Sequence, residues 1–375
     1  MSLIGIFIPI YVYKLTGNFL WVFLFYLTYH ACVVLATPAA GLMMRRFGVD
    51  KTAIMGTLLR ALFLYLLILA RDQPGLLNYA AIVWGLTIPF SWLPYHYTVV
   101  AEEEKDGQFG MAVAHIAIVE KITAAAAPFV GGLIIYFSGF SALYWVGLVI
   151  ILISIIPMLI DSFDKRGMRL DFSRVIETIV NPKLWPVTLA LAGSSLEEQV
   201  YGVLRPLIMY VGLISVAQLG GIESMATLLS LTITWWAGKW VDKKGFGIMK
   251  IGVAANALGL LLFPFLRQGW EFLIFNSVYL IISVLIWTPF GAAIYEFACR
   301  SRRLEFFVSR EIIIHGTTAL FNAVLFLGFW QGLPWQVLFG IGSIGLIMSL
   351  SIIKGVKHVP ALSRVKIHQA VARDL

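Results

Sequence analysis

Residues 41–48 read GLMMRRFG, and residues 238–245 read GKWVDKKG, 197 positions further along a chain of 375 residues. The same offset pairs Pro9 with Pro206 and Tyr13 with Tyr210. One shift that aligns a proline, a tyrosine and two glycines flanking basic residues points to a duplicated half-molecule.

Composition says what the halves are made of. Apolar residues make up 60% of the chain and charged residues 13%, against about 25% charged in a soluble domain. The mean hydropathy is +0.87. Complete apolar segments run over 19–44, 53–70, 79–100, 111–137 and 142–160, and again over 184–213, 219–241, 248–266, 272–297, 312–330 and 335–353. Each is long enough, or nearly so, to cross about 30 Å of hydrocarbon as a helix, which takes about 20 residues. The opening segment, 2–13, is too short to cross. Position 1 corresponds through the repeat to position 198, in the middle of the seventh segment, so about 14 residues of a first helix are expected before Met1. The chain therefore reads as an all-α integral membrane protein of twelve helices in two pseudo-symmetric six-helix bundles, the first helix incomplete. The expected divisions are a bundle at 1–160, a polar linker at 161–183, a second bundle at 184–353 and a tail at 354–375.

The formal charge of +8 does not indicate a nucleic-acid partner, because the basic residues sit in alternate inter-helix connections. On one side lie Arg45, Arg46, Lys51, Lys105, Lys165, Arg166, Arg174, Lys183, Lys243, Lys244, Arg300, Arg303, Arg310 and the tail cations; on the other are Lys14, Arg71 and Arg267. The positive-inside rule makes the first side cytoplasmic and puts the C-terminus there, in a bacterial-type cytoplasmic (plasma) membrane. The acidic run EEEKD at 102–106 dissents, but acids count for little in that rule. Arg169, Leu170, Phe172, Val175, Ile176 and Ile179 suggest a short amphipathic helix at the surface within the linker. Cys32 and Cys299 are too far apart in sequence to announce a disulfide framework or a metal site. No P-loop is present, and no cofactor is expected.

Gly238, Asp242, Lys243 and Gly245 resemble the G-x-x-x-D-[RK]-x-G loop that follows the second and eighth helices in the major facilitator superfamily. Trp92 and Pro94 in WLPY echo Trp287 and Pro289 in WTPF. Pro128, Gly131 and Gly132 in APFVGG look like that family's helix-five G-P-x-x-G-G segment, with Ala127 in place of the first glycine. The resemblance implies a transporter whose loop aspartate locks the halves together by charge pairing and by sitting at a helix N-terminus. In the first copy that aspartate is replaced by Arg45, between Gly41 and Gly48 with Arg46 retained, so Asp242 is the expected intact copy.

An ionisable side chain inside the bilayer costs a few kcal/mol, so such residues face a cavity or a partner. Glu197 and Glu198 lie mid-way along the seventh segment, and successive helical residues diverge by about 100°, so at most one points straight into a central cavity. Arg205 follows on the Glu198 face, about two turns on. Glu120 and Lys121 fall within the fifth segment, with His115 earlier and His30 in the second. These are the expected substrate or proton pathway. The competing reading makes Glu120 or a helix-seven glutamate half of a structural pair with Lys121, Arg205 or another helix. His96 and His315 are expected to be satisfied by hydrogen bonds, and Asn276 and Asn322 to join helices or, alternatively, to bind substrate. The expected function is secondary transport of a small organic solute by a monomer using alternating access and a proton gradient, with the helix-five segment tilting the reading toward export. The rivals are an integral-membrane enzyme acting on lipids, for which only the 102–106 run offers chemistry, and a transporter-like protein that has lost transport.

Overall fold

A computed structural model of the chain describes residues 3–103, 109–160, 168–212 and 214–358, and among these it contains helices and no strand. The helices are α1 (Ile8–Thr16), α2 (Phe19–Phe47), α3 (Val49–Ala70), α4 (Leu76–Glu103), α5 (Phe109–Ile153), α6 (Ile155–Ile160), α7 (Phe172–Val180), α8 (Trp185–Gln199), α9 (Arg205–Gly212), α10 (Val216–Lys244), α11 (Met249–Leu262), α12 (Gly269–Arg300), α13 (Arg303–Trp330), α14 (Gln336–Ser349) and α15 (Ile352–His358). Nine segments among the described residues are long and apolar enough to cross a membrane. One of them, Phe109–Ile160, has 52 residues. That is roughly twice a spanning length, and Gly139, at φ 82°, breaks it in two.

The duplication extends beyond the sequence motif. Both α2 and α10 have 29 residues, and both ends of α10 lie 197 positions after those of α2. At the start, the Asn18 side chain accepts from the amide of Leu20 and that of Ser215 from the amide of Gln218. At the finish, Gly48 and Gly245 take φ values of 90° and 72°, and each donates its amide to the carbonyl four residues back, Met44 or Val241. These paired stretches are not loops, as the sequence reading had them. Residues 41–47 and 238–244 are the last two turns of helix, and the second glycine alone makes the connection or begins it. Basic residues are favoured there because a helix C-terminus carries partial negative charge, and glycine follows because no side chain tolerates that backbone conformation well.

The seventh segment, expected to be one helix, is split into α8 and α9 by a widened turn at Val200–Leu204. Pro206 explains it. The amide of Arg205 reaches back five residues to the carbonyl of Val200, and Pro206 has no amide to offer Tyr201. The Tyr201 carbonyl instead accepts from Arg205 Nε at 3.0 Å, so the side chain repairs the gap that the proline opens.

Two long seams join the halves. Along one, α5 packs on α10 through small residues, and a methyl group on Gly238 would lie 2.5 Å from Ala114 Cβ. Along the other, α2 packs on α13, from Phe23 against Phe329 (ring centroids 4.9 Å apart) to Gly41 against Val308. The linker helix α7 braces the second seam. Leu170, just before this helix, lies under Gly41, while Val175 within it is buried and its carbonyl accepts from Ser309 Oγ at 3.2 Å.

Candidate functional site

At the end of the molecule that carries Arg45, Arg46, Lys243 and Lys244, the two copies of the repeat differ in their chemistry. Asp242 Oδ1 and Oδ2 accept from the backbone amides of Gly110 and Met111, each at 2.8 Å. These amides open α5 and have no partner within their own helix, so a carboxylate of the second half satisfies the N-terminus of a helix in the first. Lys243 is exposed, and so are Arg45 and Arg46, the latter lying over the Phe47 ring at 5.2 Å. Arginine stands at position 45, and the N-cap residue of the equivalent first turn of α13, Arg302, makes no side-chain cap. Glu305 in that turn is buried, accepts from the amide of Asp171 at 3.3 Å and lies 3.8 Å from Arg302.

The helix-five segment lies on the α5–α10 seam. A methyl group on Gly132 would lie 3.0 Å from the Val216 carbonyl, and Gly220 of α10 faces the carbonyl of Pro128. Gly131 turns instead toward Leu3 and Phe7 in the opening segment. The amide of Phe129 donates to Ser224 Oγ at 3.0 Å across the same seam. Small residues let the two backbones approach, as helix pairs in lipid require.

Of the charges expected along a pathway, Glu197 and Glu198 diverge as helical geometry demands. Glu197 is 3% exposed and accepts a hydrogen bond from Tyr279 Oη, whose ring stacks on Tyr201 at 4.3 Å. Arg205, 1% exposed, lies 4.0 Å from the Tyr201 ring centroid. Arg205 pairs through both terminal nitrogens with Glu223, each at 3.1 Å, and donates to Asn276 Oδ1 at 2.8 Å. Glu223, which sequence reasoning missed, is the lone acid within the 219–241 apolar run. The solitary carboxylate was the available signal. A buried arginine so fully partnered holds its own half together and does not reach Glu198.

Glu198 is exposed, yet it stands within electrostatic range of Tyr29 on α2 and of His315, Arg310 and Glu311 on α13. It therefore stands where α8, α2 and α13 come together. Next to it, Gln199 Nε2 donates to Asn322 Oδ1 at 2.9 Å. His30 is buried with Nδ1 2.7 Å from Nδ1 of His315. Arg310, counted above among the connecting cations, lies inside α13, where it pairs with Glu311 and lies 3.3 Å from His96 Nε2. His96 Nδ1 is 3.1 Å from Tyr295 Oη on α12.

The α5 residues stand apart from this group. Lys121 Nζ donates to Thr234 Oγ1 at 3.1 Å across the seam, while Tyr95 Oη donates to Glu120 at 3.5 Å, so these neighbours do not pair with each other. His115 is exposed. A groove of about 860 Å³ between α5, α10 and α12, lined by Phe129, Met225, Leu228 and Trp270 among others, contains none of the ionisable groups. Residues 104–108 and 161–167 and the tail from 359 lie outside the described residues, and with them Lys105, Lys165, Arg166 and most of the acidic run.

The arrangement offers an accessible carboxylate and a pair of imidazoles where the halves meet, and a carboxylate bound to a helix end at one face of the molecule. No curated protein matches the chain. A family model described as Major Facilitator Superfamily matches residues 1–305. The helices, the two seams between repeated halves and that match together establish that this integral membrane chain belongs to the Major Facilitator Superfamily, a family of membrane transporters.

Proposed function

We propose that the protein is a secondary transporter that moves a small organic solute by rocking a bundle at 1–160 against one at 184–353. It works as a monomer, is coupled to protons, and has its basic end and C-terminus in the cytoplasm. The observation that carries this reading is the Asp242 carboxylate on the amides of Gly110 and Met111, because it ties the halves at one face by contacts that can be made and released as a unit. Alternating access needs such a contact on each face in turn, around a site between internal repeats. Glu198 supplies that site with an accessible charge, and Glu120 and Lys121 place further ionisable groups along α5. Export as the direction rests on the helix-five segment at Pro128, Gly131 and Gly132.

The test is solute flux into and out of proteoliposomes under an imposed pH gradient, with Glu198→Gln, Glu197→Gln and Glu120→Gln compared. Gradient-driven flux that Glu198→Gln abolishes supports the reading. Flux of no solute in a broad panel, together with chemical modification of the vesicle lipid, would replace it with an enzyme of the membrane.

A further inference from the structure

We infer that His30, His315 and Glu311 form a single proton-binding relay that spans the α2–α13 seam and holds that seam closed when it carries one proton between the two rings. The inference rests on the proton-coupled reading above and assigns its site.

The geometry fixes where the protons stand. Two imidazole nitrogens 2.7 Å apart form a hydrogen bond only if one carries a proton and the other is bare. His315 Nε2 lies 3.3 Å from Glu311 Oε2, so Nε2 donates to the carboxylate. In neutral His315 that leaves Nδ1 bare, and the donor in the pair is His30 Nδ1–H. His30 Nε2 is then bare as well, and it is buried without a hydrogen-bond partner. Nε2 is thus the ring nitrogen of the pair left open to a proton.

A proton taken up at His30 Nε2 makes that ring an imidazolium. Its Nδ1 proton passes to His315 Nδ1, and the His315 Nε2 proton passes to Glu311. One proton enters, one carboxylate becomes a carboxylic acid, and both rings end neutral in the opposite tautomer with the hydrogen bond between them reversed. If each ring instead keeps both its protons, two N–H groups meet head to head, and the α2–α13 contact cannot persist at this distance.

Charged and titratable groups surround the relay on every side. Tyr29 of α2 stacks edge-on to His30 at 4.4 Å and lies 6.0 Å from His315, with Tyr26 6.3 Å from His30. From α8 come Glu198 and Gln199, from α3 Arg60 acting through Tyr29, and from α4 His96, which contacts Arg310 and, on α12, Tyr295. Arg310, paired with Glu311, stands at the far end of the relay. The seam is built of Phe19, Phe23 and Phe329 at one end and of Gly41 and Val308 at the other, so protonation of both rings at its middle, with Glu311 still a carboxylate, is what opens it.

The experiment places spin labels at exposed positions on the two helices, Trp21→Cys and Trp330→Cys, in the full chain with Cys32 and Cys299 replaced, and reads their distance in lipid. Between about pH 8 and about pH 5 the ratio of separated to closed seam should rise about tenfold. In His315→Asn and Glu311→Gln the change should fall below about twofold. An unaltered pH response in both variants, or no response in the parent, overturns the relay. Nitrogen-15 histidine spectra of the unsubstituted protein provide a reading that needs no variant: one proton shared by two coupled rings supports the relay, and two independently titrating histidines overturn it. Proton-driven flux is scored separately in vesicles, so a seam that responds to pH without such flux retains the site and rejects the coupling.

Discussion

Asp242 Oδ1 stands 2.8 Å from the amide of Gly110, and its other oxygen is equally close to the amide of Met111, so one side chain from α10 completes the first turn of α5. A hydrogen bond to a charged group contributes about 1.5–3 kcal/mol. Even the lower figure for the pair together shifts an equilibrium by about tenfold. Asp242→Ala should therefore open this face relative to the parent, measured as faster cysteine labelling at positions lining it. Asp242→Asn retains one carbonyl acceptor and should fall between them, and Arg45→Ala should leave labelling near the parent rate.

Gly48 and Gly245 hold one backbone conformation in two places, and it lies in a region that side chains occupy at a cost of about 1–3 kcal/mol. At Gly245 nothing lies within 4 Å of where a methyl group would stand. Gly245→Ala should then lower the melting temperature in detergent by backbone strain alone, and Gly48→Ala, at a buried glycine of like φ, by at least as much. A Gly247→Ala substitution, at a glycine without positive φ, serves as the control and should leave the midpoint unchanged.

The repeat was readable because it is carried by short motifs at a constant spacing, and spacing survives when side chains change. Knowing where Gly48 falls was enough to locate Gly245, and the 29-residue lengths of α2 and α10 follow from it. The partners of the buried charges were not readable in the same way. Glu197 ends up on α8 and Arg205 on α9, and each is satisfied by a side chain of another helix, Tyr279 of α12 for one and Glu223 of α10 for the other. Which helix faces which is decided by packing between apolar surfaces that all look alike in sequence. His315 illustrates the point: as one histidine in an apolar run it carries no message until α2 brings His30 against it. The widened turn at Val200–Leu204 was half visible, since Pro206 announces a disturbance but not its form.

Arg205 and Glu223 provide a test of what a buried pair contributes. Removing one partner leaves the other charge uncompensated, at a cost of about 3–5 kcal/mol. Arg205→Met and Glu223→Gln should each lower thermal stability sharply, whereas Arg205→Met with Glu223→Leu should recover most of the loss. Arg205→Met carries a second penalty, because Nε no longer serves the Tyr201 carbonyl. The double variant should therefore remain below the parent in unfolding midpoint even when the charges balance.

The linker helix offers a pH dependence whose sign follows from its cap. Asp171 accepts from the Ser173 hydroxyl at 2.6 Å and from the Ser173 amide at 3.0 Å. Those bonds, hydroxyl first, hold its carboxyl below the ordinary aspartate value of 3.8, with Arg174 and Arg302 adding a smaller pull the same way. A depressed folded-state value means that the cap's contribution is complete above the unfolded-state value and is lost as pH falls through the folded one. Protection of the α7 amides from hydrogen exchange should thus stay level from neutral pH down to the ordinary aspartate range and decline only below it. Asp171→Asn, which caps without titrating, should show no such decline. Because Val175 of α7 accepts from Ser309 of α13, the same acid range should also loosen the exchange of the first turns of α13, and that coupling should disappear in Ser309→Ala.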